Sequence, residues 1–301
     1  MTTATSIPTT PIPPTLERLA LPVVTVLALL VLTLAPDVLP LNVQLILLAA
    51  MVVVFGLPHG ALDPWLAKRA GLARTTREVV VFNVGYLGVA ALVVLIWMWL
   101  PVFSLAVFLA ISAWHFSGDW ASDLSRLPRV AAGLLLLLLP IGLHTENVAM
   151  LFAHLSGAGG VQLAHALALP AWFLTAGIGL LVALALRQRR WQAALEFVSL
   201  LVLAFIAEPL VYFALYFCAL HSLRHLAGLF REAPPTERPS LWRMTVVYTM
   251  ATVALAGVLW WLWSDLPSDT LVLKLVFIGL AAVTVPHMML MARIHFVDLR
   301  E

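Results

Sequence analysis

Residues 209–230 read PLVYFALYFCALHSLRHLAGLF, an apolar run interrupted by His221-Ser222-Leu223-Arg224-His225. As a helix, these 22 residues rise about 33 Å, enough to cross the hydrocarbon core of a bilayer. Polar side chains inside such a run cost free energy unless something pairs with them. Residues four apart share one helix face, so the imidazoles of His221 and His225 can reach a single metal ion. The stretch therefore reads as a membrane helix that carries half of a metal site.

The rest of the chain has the same character. Its 301 residues are 62% hydrophobic and 11% charged, with a mean hydropathy of +1.02, where a soluble domain averages about 25% charged. Ten candidate spans follow, at 19–35, 41–58, 79–100, 102–120, 128–143, 170–187, 193–206, 209–230, 243–263 and 271–292. Their joints are marked by Pro36 with Asp37, Pro101, Pro128, Pro170, Glu208 with Pro209, and the segment from Asp265 to Asp269. The expectation is an all-α, polytopic transmembrane helix bundle of about ten spans. It forms one integral-membrane domain over 17–301, preceded by a Thr- and Pro-rich disordered tail at 1–16. Arg18 followed by the run 19–35 reads as an uncleaved anchor rather than a signal peptide. Cys218 is the only cysteine, which excludes an intrachain disulfide. The net charge of +2 comes from loop arginines and gives no reason to expect nucleic acid as a partner.

Charge asymmetry supports the count. With a cytoplasmic N-terminus, the inner loops hold Lys68, Arg69, Arg74 and Arg77, then Arg126 and Arg129, then Arg187, Arg189 and Arg190. Arg231, Arg238, Arg243, Arg293 and Arg300 complete the series. The outer connections at 36–40, 100–101, 144–169, 207–208 and 264–270 contain no Lys or Arg, and only Lys274 lies near an outer helix end. The positive-inside rule is met at every turn, so both termini are expected in the cytoplasm. The longest outer connection, 144–169, carries His144, His154, His165 and the glycines around 157–160. It reads as a solvated or interfacial loop, with a lid over the bundle as the alternative.

Five histidines fall in the spans or at their ends: His59, His115, His221, His225 and His287. Measured from the outer end of each helix, they lie at depths of about 18 Å (His221), 20 Å (His115), 24 Å (His225 and His287) and 27 Å (His59). Unrelated core histidines would scatter; these share one slab of the inner leaflet about 10 Å thick. Pro58 and Pro286 each precede a histidine and can re-aim it by breaking the helix hydrogen bonding. Asp63 and Asp119 follow His59 and His115 by four residues, the spacing at which a carboxylate could accept the second N–H of a metal-bound imidazole. Arg224 reads as snorkelling to the headgroups, and Cys218 as a packing residue. All-nitrogen ligation suits Fe, Cu, Zn or Ni.

At these residues the chain resembles the membrane-bound β-carotene 15,15′-dioxygenases of bacteria and archaea, the Brp/Blh family linked to retinal supply for microbial rhodopsins. The matching blocks are Pro58-His59-Gly60-Ala61-Leu62-Asp63 and Ser112-x-x-His115-Phe116. They continue with Tyr216-Phe217-Cys218-x-x-His221-Ser222-x-Arg224-His225 and Thr284-x-Pro286-His287-Met288. The resemblance implies a carotenoid cleavage dioxygenase of the cell (inner) membrane. Its non-haem Fe(2+) would be held by His59, His115, His221 and His225, with His287 as a fifth ligand or a residue behind the ligands. Asp63 and Asp119 would stand behind the histidines. The partners implied are β-carotene, O2 and the lipid bilayer, with a microbial rhodopsin as retinal acceptor. A hydrocarbon substrate offers no polar handle, so an apolar tunnel must place its central bond by shape; Trp114, Phe116, Phe213, Phe217 and Met288 are the expected lining. The alternatives are a histidine-rich membrane haem protein, a transporter with a proton or metal relay, a di-iron desaturase or hydroxylase, and an assembly protein.

Overall fold

The computed structural model describes residues 16–35 and 38–298, so the tail expected at 1–16 (Leu16 apart) and the Pro36–Asp37 joint lie outside the described residues. Every described element is helical: α1 (Leu16–Leu34), α2 (Leu41–Met51), α3 (Leu57–Gly60), α4 (Asp63–Arg69), α5 (Thr76–Trp99), α6 (Pro101–Phe116), α7 (Arg126–Leu143) and α8 (Thr145–Ser156). The series continues with α9 (Ala158–Leu167), α10 (Ala171–Arg187), α11 (Trp191–Ile206), α12 (Pro209–Tyr216), α13 (Leu223–Glu232), α14 (Arg238–Leu262) and α15 (Ser268–Asp298). Two π-helical segments join consecutive helices, Val52–Gly56 between α2 and α3 and Phe217–Ser222 between α12 and α13, and a 3-10 turn, Ser117–Trp120, follows α6.

Local chemistry explains the boundaries. Thr75 caps α5 with its hydroxyl accepting from the Glu78 N–H, while the Glu78 carboxylate accepts from the Thr75 N–H. Prolines open α4, α6, α12 and α14, where a missing N–H costs nothing.

Among the described residues, eight helical stretches are long and apolar enough to cross a membrane, Leu41–Arg69 and Pro209–Glu232 each counted as one, or nine if the bent pair of α9 and α10 forms one crossing. This is fewer than the ten expected. The α10 helix has 17 residues and α11 has 16, so each rises only about 24–26 Å against a hydrocarbon core of about 30 Å. The segment 144–169 is not a loop. It forms the α8–α9 hairpin, which turns at Gly157 (φ 68°) and packs against α15 and α6, burying Val148, Ala149, Phe152, Leu155 and Ala164.

The crossing from Pro209 to Glu232 has 61% of its apolar window buried inside the protein, whereas that of Thr76–Trp99 has none. The quoted stretch is thus the central post, and α5 faces lipid. Around the post stand α1, α2, α7 and α11, with α15 beyond α2. Tyr212 ties the post to α7 by donating to the Leu136 carbonyl at 3.0 Å. At Gly133 of α7 a Cβ would lie 2.1 Å from the Ala113 carbonyl oxygen of α6, so only glycine permits that helix contact.

Candidate metal centre

The five histidines converge. His59 sits on α3, one turn after the first π segment; His115 ends α6; His221 lies within the second π segment; His225 opens α13; His287 follows Pro286 inside the unbroken α15. The ring centroids of His115 and His221 are 4.6 Å apart, those of His115 and His287 5.2 Å, and those of His59 and His221 5.4 Å. His59 and His287 lie 5.7 Å apart, and His225 and His287 5.6 Å. His59, His115 and His287 each offer a ligand atom, all within 4.8 Å of one another, a group that could hold a metal ion. His287 thus stands among the imidazoles rather than behind them.

Hydrogen bonds on the opposite ring edge orient most of the cluster. His287 Nδ1 donates to the Asp63 carboxylate, 2.9 and 3.0 Å from its two oxygens. His221 Nδ1 donates to Asp119 Oδ1 at 3.0 Å, and His59 Nδ1 to the Gly56 carbonyl at 2.5 Å. With the proton on Nδ1, Nε2 keeps its lone pair for a cation. Accordingly Nε2 of His221, His225 and His287 is buried without a hydrogen-bond partner. Buried polar atoms are nearly always paired, so three orphaned ring nitrogens in one cluster fit a bound metal.

The carboxylates are where the sequence-based pairing fails. Asp63 holds His287 rather than His59, and Asp119 holds His221 rather than His115. A turn at Ala61–Leu62 separates α3 from α4, and the chain tightens to 3-10 geometry at Ser117. The i, i+4 relation of a continuous helix is therefore lost in both places. Arg224 does not snorkel. Its side chain, 18% exposed, turns inward, with Nη1 donating to the Asp119 carbonyl at 2.7 Å and Nη2 to Glu196 Oε1. Glu196 also accepts from Trp120 Nε1 at 2.9 Å. Two buried carboxylates near its guanidinium outweigh the pull of the headgroups.

Sequence reasoning placed Tyr216, which donates to Asp119 Oδ2 at 2.6 Å, in a matching block without a role, and missed Tyr86, whose hydroxyl lies 3.0 Å from Asp63 Oδ2. It also missed Glu196, although a carboxylate inside an apolar helix was a usable signal. Neither π segment has a mark in the sequence. They meet at Gly56, where a Cβ would come 2.8 Å from the Phe217 ring, and such bulges concentrate at functional sites.

A cavity of about 350 Å3 opens beside the cluster, bounded by His59, His287, Tyr86, Leu87, Ala251 and Leu255 among others. None of the five residues expected to line a tunnel lies on it. Phe116 and Phe217 instead pack against the His221 ring, Phe213 stacks on Phe217, and Met288 is half-buried on α15. Trp114 is 48% exposed, with Arg126 over its ring. Proximity to a ligand in sequence did not select the cavity walls, because α5 and α14 approach the cluster from elsewhere in the chain.

A family profile described as "Beta-carotene 15,15'-dioxygenase" matches residues 50–295, which contain all five histidines. The chain is 34% identical over 251 residues to a β-carotene 15,15′-dioxygenase of an uncultured marine bacterium, covering 80% of this chain and 90% of that protein. It is 30% identical over 283 residues to a probable β-carotene 15,15′-dioxygenase Blh of Halobacterium salinarum, covering 80% and 81%. No solved structure matches it.

Proposed function

The chain belongs to the β-carotene 15,15′-dioxygenase family, and on that premise we propose that it splits the central double bond of β-carotene with O2 into two all-trans retinals at a ferrous centre. The observation that carries this reading is the five-imidazole cluster, with its orphaned Nε2 atoms beside an apolar cavity. His59, His115, His221 and His225 would hold the metal, with His287 as a fifth ligand. When bound, Fe(2+) among neutral imidazoles supplies the activation of O2, whose two atoms end in the two aldehydes.

The chain's own residues do the rest. Asp63 and Asp119 keep the Nδ1 proton of His287 and His221 in place, leaving each Nε2 bare. Tyr86 and Tyr216 hold those carboxylates in turn. The apolar walls exclude water and locate a substrate that has nothing to hydrogen-bond. The membrane concerned is the cell (inner) membrane, which also holds the substrate. Both termini lie in the cytoplasm, on the arginine-rich side, and a microbial rhodopsin is the retinal acceptor.

The deciding experiment is incubation of purified protein with β-carotene, with iron content and retinal measured together. Retinal in proportion to bound iron is expected from the unaltered protein, and none from His221→Ala or His225→Ala. Iron-loaded protein that leaves β-carotene intact overturns the reading.

A further inference from the structure

A second cavity, of about 790 Å3, lies nearer the outer membrane face, and the same three long helices wall both. On α5 the wall passes from Ala90 to Val94, and on α14 from Leu255 to Leu259, one helical turn each. On α15 Leu280 faces the first cavity and Gly279 the second. The walls of the two cavities therefore adjoin, about one turn apart or less on each helix. Together they follow α15 from His287 to Thr270, a rise of about 26 Å. The α14 helix packs on α15 and α3, and its Tyr248 donates to Asn83 Oδ1 of α5 at 2.9 Å, a polar tie at the metal end of the trough.

We propose that the two cavities form one polyene channel, in which one conjugated arm of the carotenoid runs along α15 from the histidines and its terminal ring occupies the outer cavity. This rests on the dioxygenase reading. The occupant is specified by shape and chemistry. The smaller cavity lies beside the metal centre and the larger one beyond Gly279, about midway along; Asn83, Tyr86, Tyr248 and Thr252 stand at the metal end and Thr270, His154 and Lys274 at the far end, with apolar walls between. A rigid linear hydrocarbon that ends in a bulkier ring has that profile. The channel stays open at Gly279, where an added Cβ would meet nothing within 4 Å. Ala90 keeps the facing wall thin.

The test fills the trough at its midpoint without touching the histidines. Gly279→Trp, and independently Ala90→Phe from the facing helix, are assayed beside Gly257→Leu, which adds bulk on the lipid face of α14. Iron content and yield report folding. Two substrates are compared: β-carotene, and a carotenoid truncated in one arm, which needs only the inner part of the channel. Anaerobic β-carotene binding, followed by its absorption, is read in parallel. Expected is a drop of at least tenfold in the ratio of β-carotene to truncated-carotenoid turnover for both channel variants, with weakened anaerobic binding and unchanged iron. Gly257→Leu should match the unaltered protein. An unchanged ratio in both iron-loaded channel variants overturns the channel, as does an equal change in Gly257→Leu. No retinal from the unaltered protein overturns the dioxygenase reading itself.

Discussion

Asp63 and Asp119 each join two parts of the chain that lie far apart in sequence. Replacing either with asparagine removes the charge that favours the imidazole's Nδ1 proton, and in Asp119→Asn it also sets an amide N–H2 against the Tyr216 hydroxyl. Metal affinity should fall about 10–100-fold with the fold retained, read as iron bound against free iron; normal affinity in both variants would remove their role. Arg224 is a different case. Arg224→Met strands the Glu196 carboxylate, 3% exposed, at a cost of about 3–5 kcal/mol. The double variant Arg224→Met/Glu196→Gln should recover part of that loss in thermal unfolding, because it removes the uncompensated charge as well as the pair. A double variant no more stable than the single one would contradict this account.

The two π segments are the elements that set the cluster's geometry. A segment wound wider than an α-helix turns its side chains out of the α register. His221 and His225 thus reach the centre from a helix that changes winding between them. Deleting Ala219 should relax Phe217–Ser222 to α geometry, keep the helix beyond it in register, and take from His221 the wider winding that aims it. The expected outcome is protein that still inserts in the membrane but no longer binds iron; full iron content would show that the π winding is dispensable. The α6–α7 contact makes a second prediction. Gly133→Ala drives a methyl into the Ala113 carbonyl, so it should cost about 1–3 kcal/mol and lower the unfolding temperature in detergent.

At the scale of the whole molecule, orientation is the property with the clearest test. Reporters fused after Arg300 should read cytoplasmic, and one placed between α8 and α9, at Gly157, should read external; the reverse pattern would invert the arrangement. The bundle also shows how far sequence reasoning carries. The helical membrane architecture and the five histidines at one depth could be read from hydropathy and a fixed rise per residue, because burial in lipid is decided segment by segment. The short α11 looked like a span for the same reason, and α10 like a whole one although it passes the length test only together with α9, since composition reports apolarity more sharply than length. The α8–α9 hairpin looked like a loop because its apolar face meets α15 and α6 rather than lipid.

The sequence alone thus determined that this chain lives among lipids and that its imidazoles lie level with one another. The tertiary structure decided which carboxylate serves which histidine, that Arg224 turns inward, and where the cavities run. Each of those depends on side chains from separate helices meeting in space. Local periodicity carries no information about that once a helix turns, tightens or widens between the residues concerned.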